Sequence, residues 1–337
     1  MQQWEIEKIN EINERKKMNF QVFAFIASFL NNCPDLISRE MMLDMTGGDS
    51  DFESRAYSIF LSNAFSEEDD VCLRIEKEYL KTGIKKLYPE EYLENPFFKN
   101  IRIPERQEGN WQLDYQSYKP YEGFIYKDIE VGEDYLEVPC VGFFDKEFSY
   151  PTVFENGVEW MAIKPNEIET MKETIKKARG RVLVYGLGIG YFTYMASMKD
   201  EVECVTVVER DENAIKLFNE YILPQFPRKD KITIVKSDAF EYAQREMKKG
   251  NFDYCFTDLW HDVSDGVELY AKMKKYEATC PKTTFEYWIE KSILSSIRWR
   301  IFDAIYEKVQ KGSFEGTYDE VKSYLTDGYL RELVKFI

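Results

Sequence analysis

The run Val182-Leu183-Val184-Tyr185-Gly186-Leu187-Gly188-Ile189-Gly190-Tyr191 constrains the fold more than any other stretch of this chain. Four residues of strand-forming character lead into three glycines at alternate positions, and Phe192 to Met198 has the pattern of an opening helix. The local structure implied is strand, tight turn, helix. Glycine at such a turn lets the backbone take a positive φ and come close to a ligand that a Cβ would hold off. The spacing narrows the choice, because a dinucleotide-binding G-x-G-x-x-G turn would put its third glycine at Tyr191, and here it falls at Gly190.

The segments that follow have the lengths of βαβ units. Cys204-Val205-Thr206-Val207-Val208 is a second buried-strand run and ends on Glu209, nineteen residues after Gly190. An acid at that strand end can accept both ribose hydroxyls of a nucleoside. Ile232-Thr233-Ile234-Val235 leads to Ser237-Asp238-Ala239-Phe240, Phe252 to Thr257 leads to Asp258-Leu259-Trp260-His261-Asp262, and Thr283 to Trp288 supplies a fifth strand. In this setting the G-x-G-x-G turn resembles the first motif of the class I S-adenosylmethionine (SAM)-dependent methyltransferases. The resemblance implies an α/β fold with a Rossmann-like SAM-binding domain. It also implies cofactor contacts from Gly186, Gly188, Gly190, Glu209, Arg210, Asp238, Ala239 and Asp258, with Asp238 beside the adenine amino group.

In that family the reacting groups stand at the end of the fourth strand. Asp258 and His261 are the catalytic candidates, and Trp260 and Asp262 the substrate contacts. His261 is the only histidine of the chain, and an imidazole of ordinary basicity suits a general base at neutral pH, although a surface loop histidine without contacts would look the same. Nucleic-acid amino methyltransferases carry an Asp/Asn-Pro-Pro-aromatic turn here, and Asp258-Leu259-Trp260-His261 lacks both prolines. Over roughly residues 110 to 290 the chain also resembles the spermidine synthases, whose strand-end Asp is followed eleven and twelve residues later by Leu and an aromatic, as Asp258 is by Leu269-Tyr270. Their Asp-Pro-x-Gly-Pro loop is replaced by Asp262-Val263-Ser264-Asp265-Gly266, and their glycine motif contains an acid that this one lacks. The expected activity is therefore methyl transfer from SAM to an N or O nucleophile of a small molecule. The alternatives are aminopropyl transfer from decarboxylated SAM, or SAM binding without turnover.

Composition bounds the partners. With 61 acidic against 45 basic residues the formal charge is −16, an unfavourable field for a phosphate backbone and an attractive one for a cationic acceptor. Nucleic acid is accordingly not the expected partner. The six cysteines form no C-x-x-C pair and lie near no histidine cluster, which argues against a metal site and fits a reduced cytoplasm. Phe20 to Leu30 is the most apolar run, too short for the about 20 residues of a bilayer span and flanked by acids unlike a signal peptide. It reads as the buried half of a helix that starts near Trp4.

Leu36 to Met45 reads as a short helix stopped by Gly47-Gly48, Ser50-Asp51-Phe52-Glu53 as a capping box before a helix to Ala64, and Ser66 as the start of another ending near Gly83. From Trp111 to Ile163 the period becomes that of strands, with Asn156-Gly157 the clearest hairpin turn. Asn166 reads as the N-cap of a helix to Ala178. The resemblance also implies that Asn166 or Glu167 could approach the amino group of SAM, although capping alone accounts for both. Ile293 to Val309 and Thr317 to Ile337, the latter broken at Gly328, complete the helices. The expected organisation is a helical subdomain over 1–100 serving as lid, substrate cap or homodimer surface, a small β segment over 101–164, the SAM-binding catalytic domain over 165–312 and a helical tail over 313–337.

Overall fold

A computed structural model describes residues 1–336; the last residue of the expected tail, Ile337, lies outside them. The chain divides into two compact units, one made of Met1–Pro89, Tyr118–Phe148 and Leu294–Leu333, the other of Glu90–Ser117, Ser149–Ile293 and the residues from Val334 on. Among the described residues no helix is long and apolar enough to cross a membrane.

The first unit is built on the helix Gln3–Asn32. Its buried residues Ile9, Ile12, Asn19, Val22, Ile26 and Phe29 are spaced by three, four or seven positions along the whole length, so burial follows one stripe and not the second half alone. Phe20, expected inside, is 54% exposed. The stripe serves two clusters, one with Tyr57, Tyr79 and Phe143, the other with Trp299, Phe302 and Val321. The expected capping box at Ser50 does not form. Asp49 caps a short 3-10 turn at Ser50–Phe52, and Glu53 turns inward, where it meets Lys86 Nζ at 2.5 Å and accepts from the Tyr121 hydroxyl at 3.0 Å. A strand that sequence reading passed over, Ile84–Leu87, pairs in parallel with Val141–Phe144. Gly328 lies inside the helix Asp327–Leu333; the break falls earlier, after the helix Tyr318–Tyr324.

In the second unit a four-stranded sheet ends in the antiparallel hairpin Phe148–Glu155 and Val158–Ala162. Asn156 and Gly157 both have positive φ, 52° and 78°, as a two-residue mirror-image turn requires. The chain then enters α1 (Pro165–Lys177), β1 (Gly180–Tyr185), α2 (Tyr191–Ser197), β2 (Val202–Glu209), α3 (Glu212–Leu217), β3 (Ile232–Lys236), α4 (Ala239–Arg245), β4 (Tyr254–Thr257), α5 (Val263–Glu277) and β5 (Thr284–Tyr287). The five strands are all parallel in the order β3-β2-β1-β4-β5. This is a Rossmann-like α/β sheet with its glycine-bearing strand at the centre, where strand order reverses and ligands of such sheets bind. Val182, Leu183, Val184, Cys255 and Phe256 are buried, which is why these strands read as unbroken apolar runs. α1 departs from expectation at its start. Lys164 is the N-cap, Pro165 takes the first helical position and Asn166 lies within the first turn, so Asn166 does not cap.

Candidate functional site

The bend after β1 is pinned on both sides by the sheet. Gly186 N–H donates to the Val208 carbonyl of β2 at 3.0 Å, and Asp258 N–H donates to the Tyr185 carbonyl at 2.9 Å. Gly186, Gly188 and Gly190 take φ of 94°, 52° and 80°, a conformation L side chains rarely adopt. Each also has a protein neighbour where a side chain would go. A Cβ on Gly186 would lie 2.0 Å from the Asp258 carbonyl oxygen, one on Gly188 1.9 Å from the Met161 sulfur, and one on Gly190 2.3 Å from the Phe218 ring. The glycines are therefore demanded first by the protein's own packing, a use the sequence pattern does not separate from ligand approach.

Glu209, at the end of β2, turns its carboxylate onto this bend. Oε2 accepts from Leu187 N–H at 3.2 Å, and Oε1 accepts from Arg210 N–H at 2.7 Å and Asp211 N–H at 2.8 Å. A carboxylate offers about four lone-pair positions. Three are in use, which leaves room for one further donor, so gripping both ribose hydroxyls would require giving up a backbone contact. Arg210 is exposed beside it. Asp238 ends the next strand and caps α4, accepting from Phe240 N–H at 2.9 Å and Glu241 N–H at 3.0 Å, while Ala239 is buried behind it.

The end of β4 brings Asp258 against Gly186, and burial pushes the Asp258 carboxyl up to about 7. Glu167, in the first turn of α1, is 6% exposed, and its Oε2 has no hydrogen-bond partner among the described residues. Burial raises this carboxyl well above the usual range and the charge of Asp258 raises it further, against an opposing pull from Lys164. Lys164 is itself engaged by Glu159 at 2.5 Å. His261 is partly exposed; its ring stands edge-on to Trp160 with centroids 4.0 Å apart, and its Nδ1 is 3.8 Å from Asp265. Asp262 caps α5 through Ser264 N–H at 2.6 Å, and that hydrogen bonding holds its carboxyl below the ordinary value. Trp260 is turned inward, 4% exposed and stacked near Tyr287, with its indole N–H unpartnered among the described residues.

The structure thus gathers Gly186, Gly188, Glu209 and Asp258 around one bend and sets Asp238 at the neighbouring strand end, while Trp260 packs into the interior. Sequence reading missed the burial of Glu167 within reach of the Asp258 charge and the contacts of Met161, Phe218 and Trp160. The signal for Glu167 was an acid two residues after a helix-opening Pro165, which also describes an ordinary surface acid at a helix start. Met161 carried none.

No family model matches the chain and no curated protein does. Among solved structures, spermidine synthase from Thermotoga maritima is 15% identical with a TM-score of 0.33, over 46% of this chain and 55% of its own. A spermidine synthase in complex with the transition state analogue AdoDATO is 15% identical with a TM-score of 0.34, over 56% of this chain and 82% of its own. This chain spans about half the length of the Thermotoga maritima enzyme. At this level of likeness, the fold rests on the strand order of the sheet itself.

Proposed function

We propose that the second unit is the catalytic domain of a SAM-dependent transferase that alkylates an N or O nucleophile of a small molecule, methyl transfer being the reaction. The observation that carries this reading is the Glu209 carboxylate seated on Leu187 N–H inside a three-glycine bend, at the reversal point of a 3-2-1-4-5 parallel sheet. Such a bend, with carboxylates at the ends of the two adjoining strands, matches the polar demands of an adenosine. The fit lies in these polar groups and not in open space at Gly188, where Met161 stands.

When bound, such a cofactor supplies an electrophilic carbon on a sulfonium, whose sulfur leaves as a neutral thioether with the C–S electron pair. The acceptor then loses one proton as its new bond forms, and the protein must take it. Asp258, raised to about 7 by burial, is matched to that work near neutral pH, because a general base is most effective with a pKa near the working pH. His261, exposed and edge-on to Trp160, is the residue assigned on this reading to pass the proton to water.

A second reading, aminopropyl transfer from decarboxylated SAM, is favoured by one observation. Around Glu167 three carboxylates (Glu159, Glu167, Asp258) face one ammonium (Lys164), an environment that repels the carboxylate of SAM. The two readings separate in calorimetry with SAM against its decarboxylated form. Tighter binding of SAM supports methyl transfer; a preference for the decarboxylated form overturns it in favour of the second reading. Asp258→Asn is expected to lower turnover about 100-fold or more, the usual scale of a lost general base. Unchanged turnover would remove Asp258 from the chemistry.

A further inference from the structure

A cleft of about 400 Å³ opens between α1, α2 and residues 91–95, all within the second unit. None of the residues gathered at the glycine bend lines it. Ile168 and Ile175, two turns apart on α1, and Tyr191 and Met195, one turn apart on α2, form its apolar wall. The facing segment is pinned in place. Asn95 Nδ2 donates to the Tyr191 hydroxyl at 2.9 Å, and the Phe97 ring stands edge-on to Tyr191 and Tyr194 with centroids 5.7 and 5.4 Å apart. The cleft is therefore preformed, and its size suits a small ligand. Water in it meets a wall that offers few hydrogen bonds, so displacing that water with an apolar body is favourable.

The rim carries both signs of charge. α1 brings Lys172 and Lys176, one turn apart and exposed, together with Glu169, and the facing segment brings Glu91 and Glu94. Lys172 Nζ is 3.6 Å from Glu169 and Lys176 Nζ is 3.7 Å from Glu173, too far for hydrogen bonds, and exposed pairs of this kind contribute little. Both ammonium groups thus keep their donors for a ligand. Glu94 is engaged by Lys99, which leaves Glu91 as the acid of the facing segment for a ligand cation. An apolar carboxylate alone would meet the acids of the rim, and an apolar amine alone the two lysines; a molecule bearing both charges satisfies both. We propose that this cleft binds one free α-amino acid with an apolar side chain, its side chain on Ile168, Ile175, Tyr191 and Met195, its carboxylate at Lys172 and Lys176 and its ammonium at Glu91. The long, flexible lysine stems let both ammonium groups reach a carboxylate that lies close to the ligand's own ammonium. The site is independent of the transferase reading, and amino-acid binding by a chain that bound no adenosine would leave it standing.

Calorimetry on the full chain with L-phenylalanine and L-leucine tests it. Each is set against its analogue without the ammonium (hydrocinnamate, isocaproate) and its analogue without the carboxylate (phenethylammonium, isoamylammonium). The tighter of the two amino acids is expected to bind at one site, about tenfold or more tighter than either of its analogues. The paired change Lys172→Gln and Lys176→Gln, at exposed positions and with folding checked by thermal melting, should abolish the advantage over the amine analogue. Glu91→Gln should abolish the advantage over the carboxylate analogue. Glu209→Ala, which acts at the bend, should leave amino-acid binding unchanged. No saturable binding of either amino acid at about 10 mM, an analogue that binds as tightly as its amino acid, or an unchanged preference in either rim variant would overturn the proposal. Loss of amino-acid binding in Glu209→Ala would overturn it too, by placing the ligand at the bend.

Discussion

The Met161 sulfur fills the space that a side chain on Gly188 would occupy, 1.9 Å from where its Cβ would be. The hairpin strand Val158–Ala162 thus contributes a side chain to the middle of the glycine bend, and the two positions are predicted to be energetically coupled. Gly188→Ala is strained by its φ of 52° as well as by the contact, and should cost about 1–3 kcal/mol. A methionine side chain is flexible enough to yield. Combining the substitution with Met161→Ala should therefore recover part of the loss, with a coupling energy of about 0.5–3 kcal/mol in urea unfolding. Strictly additive losses would show that the two residues do not touch.

Gly186→Ala should behave differently. The obstacle there is the Asp258 carbonyl oxygen, 2.0 Å from the added carbon, and that carbonyl belongs to the strand end fixed by Asp258 N–H on Tyr185. Backbone cannot move aside as a side chain can, so no neighbouring truncation should rescue the variant. A loss above about 4 kcal/mol is expected, at the scale of the most damaging single changes. A well-folded variant with near-native stability would show the bend to be looser than described.

Removing the Glu209 carboxylate leaves three N–H groups, those of Leu187, Arg210 and Asp211, without their acceptor. Hydrogen bonds to a charged group contribute about 1.5–3 kcal/mol, and the partial exposure of this site argues for the lower end. Glu209→Ala is predicted to lower stability by about 2 kcal/mol and adenosine affinity by about tenfold or more. Glu209→Gln keeps one carbonyl acceptor and should fall between the two. If Ala and Gln weaken binding equally, the charge matters and the geometry of acceptance does not.

How much of this was legible can be argued from these same residues. β1 over Val182–Tyr185 and β4 were readable because they are buried throughout and so carry continuous apolar runs, the partly buried outer strands β3 and β5 by their β-branched and aromatic residues, and Asn156-Gly157 because few other pairs take two successive positive φ values. Ile84–Leu87 was not, since four residues give no period and its partner Val141–Phe144 lies more than fifty positions away. Asn166 was misread as a cap because Pro165, whose missing N–H costs nothing at the first helical position, moves the helix start two residues earlier. The inward turn of Trp260, Glu53 and Glu167 was out of reach for a general reason. Polar and aromatic side chains serve equally well at a surface, and only tertiary contacts decide which way they face.

Burial pushes Asp258 up to about 7 and Glu167 well above the ordinary carboxyl range. A carboxyl with a raised folded pKa binds its proton more tightly in the native state than in the unfolded one. Its stabilising contribution is then complete below about pH 4 and is lost as pH rises through the folded value. Stability is accordingly predicted to decline through the neutral range because of this pair. Glu167→Gln should flatten that decline, with a melting temperature above that of wild type at pH 8 and no advantage at pH 4. Parallel curves for the two proteins would mean that Glu167 is ionised and paired in the native state.

Lys199 supplies a control away from the bend. Its Nζ donates to the carbonyls of Ile175, Lys176 and Ala178, at 2.9, 2.6 and 2.7 Å, and so closes the end of α1 with a positive charge where the helix dipole is negative. Lys199→Met keeps the aliphatic stem and removes the donors. It should cost about 1–2 kcal/mol and lower the melting temperature by about 2–4 °C, with ligand binding intact. A loss of adenosine binding at unchanged stability would contradict this purely structural role.

The central claim is that an adenosine is held at the bend between Gly186 and Glu209. Titration of the full chain with S-adenosylhomocysteine, in wild type and Glu209→Ala, tests it most directly. The account predicts saturable one-site binding in wild type and a loss of about tenfold or more in the variant. No binding by wild type at about 1 mM ligand, or equal binding by both proteins, would contradict it.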